Sequence, residues 1–113
     1  MIINKTKRRI IVNKHKIVKS IFLKVKGLMF TRKNADFGLI FEFKSEKTRP
    51  LHMFFVFYTI DVIFLDSKKR VAEIKRNLKP FSVYTPKNRS KYIIELPKGK
   101  AKYCNIGDII KFK

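Results

Sequence analysis

The sequence predicts a mainly β, β-rich α+β fold: a small barrel-like or sandwich antiparallel sheet with one or two short helices. Short apolar segments rich in Phe, Ile and Val recur along the chain, and Gly, Pro, Asn or Asp residues separate them. Hydrophobic residues make up 45% of the sequence and eleven are Phe, which is enough for a core and unlike a disordered chain. The length suits a single domain spanning residues 1–113, and regularly spaced short strands are typical of small barrels and sandwiches.

The first elements are two short strands. Arg9–Val12 and Lys16–Val18 are apolar segments on either side of a polar dipeptide, so they form either a hairpin or two separate strands.

A short helix is predicted next. Ser20 is a suitable N-cap, and Ile21, Val25 and Leu28 follow at the i, i+4 and i+7 positions of one helical face. Thr31–Asp36 is polar and is predicted to form a turn.

The middle of the chain predicts a central strand. Gly38–Phe43 is a compact strand candidate, and the charged Lys44–Pro50 that follows is predicted to be a loop. The next apolar stretch is too long for one half-exposed strand. We therefore expect a strand at His52–Phe55, a bend near Tyr58 and a central strand at Ile60–Leu65.

The last third predicts further short strands joined by turns. Asp66–Lys69 is turn-like, so the following strand returns antiparallel, and Pro97 ends a later strand. The predicted elements are strands at Arg70–Lys75, Phe81–Thr85, Lys91–Leu96 and Ile109–Phe112, with one short helical turn within Pro97–Ile106.

Charge is the strongest functional signal. Twenty-eight Lys and Arg face eight Asp and Glu, for a formal net charge of +20. Such a surface attracts nucleic acid, anionic lipid or acidic polymers, and the alternative is a solvated, lysine-rich surface without a binding role. Tyr84, Tyr92 and Tyr103 lie near the last basic clusters and are candidates for stacking on bases. The candidate polyanion ligands are Lys5, Lys7, Arg8, Arg9, Lys68, Lys69, Arg70, Lys87, Arg89, Lys91, Lys98, Lys100 and Lys102. Their spread over many loops argues against one dedicated groove.

Two further hypotheses involve other residues. His52, Asp61 and Glu95 are polar residues in apolar surroundings and are candidates for a pocket that binds or hydrolyses a small molecule or carbohydrate. The simpler interpretation is that His52 bonds to the backbone while the two carboxylates pair with Lys or Arg. The third hypothesis is a structural or protein-interaction domain that docks through an edge strand or an exposed Phe patch.

The remaining signals favour a binding module in the cytoplasm over an enzyme. Cys104 is the one cysteine, so a disulfide within the chain and a zinc site built on several cysteines are excluded, in keeping with a reducing compartment. The pattern contains no phosphate-binding glycine fingerprint and no secretory signal. The longest apolar stretch, Met53–Leu65, is shorter than the roughly 20 residues of a membrane helix. We expect no metal, no cofactor and no catalytic residue.

Several motifs in order resemble those of one uncharacterised family. They are Gly27–Phe30, Gly38–Phe41, His52-Met53, Ile60–Asp66, Tyr92–Pro97 with Gly99, and Gly107-Asp108. This series resembles the bacterial and archaeal domain of unknown function 192 family from about Val18 to Phe112. The resemblance implies a small, mainly β protein with no established activity. Many bacterial relatives have Trp-Met-Lys-Asn-Thr around the position of Met53, where this chain has His52 before it and Phe54, Phe55 and Val56 after it.

Overall fold

The computed structural model describes residues 1–19, 36–52 and 58–113, apart from the side chain of His52. The regular elements in these ranges are ten strands in three sheets. They are β1 (Ile2–Asn4), β2 (Arg9–Val12), β3 (Lys14–Val18), β4 (Phe37–Lys47), β5 (Leu51–His52), β6 (Ile60–Leu65), β7 (Val71–Leu78), β8 (Val83–Tyr84), β9 (Ser90–Pro97) and β10 (Ile110–Lys111). The mainly β prediction is therefore confirmed.

The largest sheet has five strands in the order β3-β4-β9-β6-β7. Strands β4, β9, β6 and β7 are antiparallel neighbours, but β3 pairs with β4 in parallel. The sheet is therefore mainly antiparallel, as predicted, with one parallel pair at its edge. A parallel neighbour needs a crossover connection of about a dozen residues or more, and residues 19–36 are long enough to supply it. The predicted helix beginning at Ser20 lies outside the described residues.

Strands β2 and β3 are separate strands rather than a hairpin. Strand β2 pairs with β1, which also pairs with β10, and these three form a second sheet. A third, two-stranded sheet joins β5 to β8.

The five-stranded sheet has an apolar cluster on each face. Along β6, Ile63 and Leu65 face one cluster while Val62 and Phe64 face the other, as the alternation of a strand requires. The first cluster also contains Ile2 and other residues of the three-stranded sheet, so the two sheets pack as layers. The second cluster includes Leu51 and Tyr84 of the two-stranded sheet. In the described ranges the large sheet ends at β3 and β7 and does not close on itself.

One predicted loop and one predicted helical turn differ from the structure. The charged loop at Lys44–Pro50 begins later, because β4 continues to Lys47, which pairs with Ser90 after an irregularity in register. The predicted helical turn after Pro97 is a succession of tight turns. In these turns the amides of Lys100, Lys102 and Cys104 donate to carbonyls three residues earlier.

Gly38 allows the two larger sheets to approach each other. A Cβ atom there would lie 2.6 Å from Ile2 Cδ1 and 3.1 Å from both Leu96 Cδ2 and Val12 Cγ2. We expect Gly38→Ala to lower the free energy of unfolding by about 1–2 kcal/mol, because overpacking exceeds the entropy gained from removing glycine. Thermal unfolding followed by circular dichroism tests this expectation, and an unchanged or higher Tm would contradict it.

Candidate nucleic-acid interface

Most acidic side chains are engaged by the protein's own backbone. Six of the eight carboxylates accept hydrogen bonds from main-chain amides. Amides in turns have no sheet partner and need an acceptor where water is excluded. These carboxylates therefore hold turns and loops in place. They are Asp36, Glu46, Asp61, Asp66, Glu73 and Asp108.

Asp61 joins the central strand to two other segments. Its side chain is buried, with only 1% of the residue exposed. Oδ1 accepts a hydrogen bond from the Asn77 amide at 3.0 Å, and Oδ2 accepts from the amides of Gly99 and Ala101, each at 3.0 Å. The sequence predicted a Lys or Arg partner for Asp61, but its hydrogen-bond donors in the described ranges are backbone amides. Asp61 therefore anchors the turn segment that follows β9.

Glu73 on β7 likewise anchors a distant loop, the one before β9. Oε1 accepts from the amides of Lys87 and Asn88 at 2.9 Å, and the Tyr84 hydroxyl donates to Oε2. Burial raises the pKa of Glu73, but these hydrogen bonds outweigh it and leave the pKa below its usual value. Burial, together with the bond to Glu73, raises the pKa of Tyr84 to about 12.

Asp108 fixes the turn between β1 and β2 to the C-terminal segment. Its carboxylate accepts from Asn4 Nδ2 at 2.8 Å, from the Asn105 amide at 2.9 Å and from Lys7 Nζ at 2.9 and 3.0 Å. Burial raises the pKa of Asp108, but the hydrogen bonds from Asn4, Lys7 and Asn105 lower it by more. The pKa of Asp108 is therefore below its usual value. Lys7, a predicted polyanion ligand, is thus engaged within the fold.

Few of the cations are neutralised by carboxylates. Across residues 1–19, 36–52 and 58–113, the ion pairs are Lys7 with Asp108 at 2.9 Å and Arg70 with Asp66 at 3.0 Å. Six of the eight carboxylates accept hydrogen bonds from backbone amides, and two of these six also pair with a cation. The surface therefore keeps most of its positive charge.

Two basic segments that are distant in sequence meet on one surface. Lys7 Nζ donates to Asn105 Oδ1 at 2.8 Å, and Arg9 and Lys100 line the same small cavity of about 30 Å³. The turn between β1 and β2 therefore lies against the segment after β9. We call this region the basic face and define it by the exposed or half-exposed cations of the two segments that meet there, Lys5, Arg8, Arg9, Lys98, Lys100 and Lys102.

An aromatic ring lies within the basic face. The Arg9 guanidinium carbon is 3.9 Å from the centroid of the Tyr103 ring, and Lys102 Nζ is 5.5 Å from it. Tyr103 is 52% exposed, and Ile10 beside it is 55% exposed. The tyrosine is thus held by cation–π contact at the surface rather than buried in the core.

The other predicted ligands lie elsewhere and are partly engaged. Arg70 pairs with Asp66, and Arg89 donates to the Glu46 carbonyl at 3.0 Å. Lys69 Nζ is 4.4 Å from the centroid of the Phe112 ring. Lys68 lies in the turn before β7, and Lys87 and Lys91 flank the start of β9. The 87–91 cluster and the 98–102 cluster are at opposite ends of β9, roughly 25 Å apart along the strand.

Asp61 and Glu95, two of the three residues predicted to form a pocket, are not brought together. Asp61 pairs in register with Leu96, which belongs to the first apolar cluster, whereas Glu95 pairs with Val62 of the second cluster. Asp61 and Glu95 therefore lie on opposite faces of the sheet. The backbone of His52 pairs with Val83, and the His52 side chain lies outside the described part.

An open groove of about 500 Å³ runs beside β7. Its polar lining is engaged within the chain, because Glu73 is bonded as described and Asn88 Nδ2 donates to it at 3.0 Å. Arg76 donates to the carbonyls of Ala101 at 3.1 Å and Cys104 at 2.6 Å. Burial raises the pKa of the Cys104 thiol, so the thiolate is disfavoured. The groove thus presents structural groups rather than an activated nucleophile or base.

Three residues that hold the groove and the basic face in place carried no clear signal in the sequence. Arg76 resembled any other basic residue, and Asn4 and Asp108 are separated by more than a hundred positions. An Asn directly after two apolar residues of a short strand is the one signal that could have pointed to a buried partner for Asn4.

The described part contains no group of three His, Cys, Asp or Glu side chains suited to holding a metal ion. It also contains no helix with the length and apolar character needed to cross a membrane.

A family model named DUF192 and described as "Uncharacterized ACR" matches residues 2–112. A protein of Thermococcus sibiricus named as a UPF0127 protein is 43% identical over all of this chain and 75% of that protein. A UPF0127 protein of Pyrococcus horikoshii is 36% identical over 99% of this chain and 98% of that protein.

The fold is also similar to that of a solved structure from Sinorhizobium meliloti, described as a candidate transcription regulator. The TM-score is 0.78, with 22% identity, 86% of this chain covered and 79% of the other. At this identity the likeness concerns the fold alone.

Proposed function

Because the chain belongs to the domain of unknown function 192 family, which is uncharacterised, we propose a function from its own surface. We propose that it is a non-enzymatic binding module whose basic face contacts a polyanion, RNA or DNA. Likeness to the Sinorhizobium protein carries the fold only, so the proposal rests on this chain's own residues.

The observation that carries the proposal is the engagement of the carboxylates by backbone amides. A +20 chain can limit its self-repulsion by pairing its carboxylates with lysines and arginines, and within the described ranges Asp108 pairs with Lys7 and Asp66 with Arg70. Six of the eight carboxylates, these two included, accept main-chain hydrogen bonds. The uncompensated cations favour a phosphate-rich partner.

The basic face gives the charge a location. Arg8 and Arg9 come from the turn before β2 and its first residue, while Lys98, Lys100 and Lys102 come from the turns after β9. Guanidinium and ammonium groups contact phosphates and release the counterions condensed on the nucleic acid. Such contacts provide affinity and position but little reading of sequence.

The groove beside β7 does not favour a catalytic role. Its carboxylate, Glu73, and its guanidinium, Arg76, each form several hydrogen bonds that hold loops in place. A general base needs a carboxylate that can accept a proton from substrate, and a depressed pKa disfavours that role.

The test is the salt dependence of binding. We expect a fluorescein-labelled single-stranded oligonucleotide to bind with an affinity that falls steeply between about 50 and 200 mM salt. The slope of log K against log salt should exceed about 3 in magnitude, since each neutralised phosphate of a single strand contributes about 0.7. Fluorescence anisotropy measures it, with polyglutamate as a competitor that has charge but no phosphate. A flat slope, or equal affinity for polyglutamate, would contradict the proposal.

A further inference from the structure

The Tyr103–Arg9 pair gives the basic face a property that charge alone does not. Resting on the proposed function, we infer that the face binds single-stranded nucleic acid, with an unpaired base stacked against the Tyr103–Arg9 pair. The two residues are 94 positions apart in sequence, so the fold, not local sequence, creates the pair.

The first argument is the position of the ring. A tyrosine that serves the core packs against it with its hydroxyl bonded, as the partly buried Tyr84 does beside Glu73. Tyr103 is half exposed, and the Arg9 guanidinium at 3.9 Å holds the ring in place. A fixed, exposed ring covered by a planar cation offers a flat surface to a base at little cost in side-chain entropy.

The second argument is the surrounding charge. Lys102 Nζ is 5.5 Å from the ring centroid, and Lys100 lines the cavity next to the pair. Cations beside an aromatic surface are the arrangement by which single-strand binding proteins hold the backbone while the bases stack. Exposed Ile10 adds apolar surface on the same side of the face.

The third argument separates single strands from duplexes. In a duplex, each base is covered on both faces by its neighbours, so a protein side chain cannot stack on it without unstacking the helix. A duplex can therefore use the lysines of the basic face but not the ring. Because a single strand can use both the lysines and the Tyr103 ring, the basic face should prefer single strands to duplexes.

The test compares Tyr103→Leu with Tyr103→Phe. Leucine removes the ring and phenylalanine keeps it, and neither change alters the charge. We expect Tyr103→Leu to weaken binding of labelled oligothymidylate by about 5–100-fold while leaving the salt slope unchanged, since the variant cannot stack on a base. Tyr103→Phe should stay within about twofold of the wild type. Binding of a duplex of equal length should be the same for all three proteins.

An abasic oligonucleotide of the same length provides a measurement without any variant. It has every phosphate and no base, so we expect the wild type to bind it more weakly than oligothymidylate by a similar factor. Equal binding of abasic and normal strands would overturn the stacking inference, as would Tyr103→Leu binding like the wild type. Tighter binding to phosphatidylglycerol vesicles than to either strand would overturn it in favour of a membrane surface.

The failures of the two proposals are distinguishable. If the wild type shows no salt-dependent binding to any nucleic acid, the proposed function itself is wrong. If the slope is steep but insensitive to the base and the ring, the polyanion-binding function stands and the stacking inference alone is wrong.

Discussion

Asp61→Ala is expected to lower the free energy of unfolding by about 3–5 kcal/mol, because three amides lose the buried carboxylate that accepts their hydrogen bonds. A natural domain has only about 5–15 kcal/mol of stability in total, so this is a large fraction. Urea unfolding followed by circular dichroism and tyrosine fluorescence measures the change. Both Asn77, with φ of 57°, and Gly99, with φ of 88°, are in left-handed conformations that the carboxylate helps to hold.

Asp61→Asn and Asp36→Ala are the matched controls. The asparagine side chain would keep one oxygen that accepts from one side of the site, so the effect of Asp61→Asn should be about half that of alanine. Asp36→Ala removes the same charge from a solvent-accessible turn, where water replaces the carboxylate, and should cost much less stability than Asp61→Ala. If Asp61→Ala is no more destabilising than Asp36→Ala, the buried carboxylate does not anchor the segment after β9.

The role of Asp61 shows which part of the fold the sequence predicts. An apolar stretch rich in Phe and β-branched residues predicts a central strand at Ile60–Leu65, and the structure confirms that strand. The pattern does not predict the partners of Asp61, which lie 16 to 40 residues further along the chain. Charge counting predicted a Lys or Arg partner, but backbone amides without a sheet partner compete for the carboxylate, and the long basic side chains can extend into water instead.

Parallel pairing of β3 with β4 was missed for a similar reason. The two apolar segments at Arg9–Val12 and Lys16–Val18 look alike in sequence, and proximity suggests a hairpin. Each instead joins a different sheet, because β2 buries Val12 with the first apolar cluster and Val18 belongs to the second. The local sequence pattern predicts that a segment is a strand. Which strands it pairs with depends on the apolar cluster against which its side chains pack.

The candidate site was predictable in part. Each basic cluster is visible in the sequence, and their even spread suggested that no single groove exists. Contact between the β1–β2 turn and the segment after β9 depends on Asp108, which binds Asn4 and Lys7 from nearly the full length of the chain away. A long-range contact of that kind follows from the completed fold and not from spacing.

The second large effect concerns where a polyanion binds. We expect the triple variant Lys98→Glu, Lys100→Glu and Lys102→Glu to weaken oligonucleotide binding by about 100-fold or more at low salt. This is because three lysines that attract phosphates are replaced by glutamates that repel them. The salt slope should fall by about 2, because each phosphate of a single strand that is no longer neutralised reduces it by about 0.7. Anisotropy titrations over the same salt range as for the wild type measure both quantities.

The control is an equal change of charge at the other end of β9. Lys87→Glu, Arg89→Glu and Lys91→Glu give the same formal net charge as the first triple variant, at a position roughly 25 Å away along the strand. At about 0.1 M salt the Debye length is about 10 Å, so charges this distant act weakly on a strand bound at the basic face. We therefore expect the control to reduce affinity by less than about tenfold and to leave the slope nearly intact. Equal losses of affinity in the two variants would mean that the whole cationic surface attracts the polyanion, and that the meeting of the two basic segments creates no preferred site.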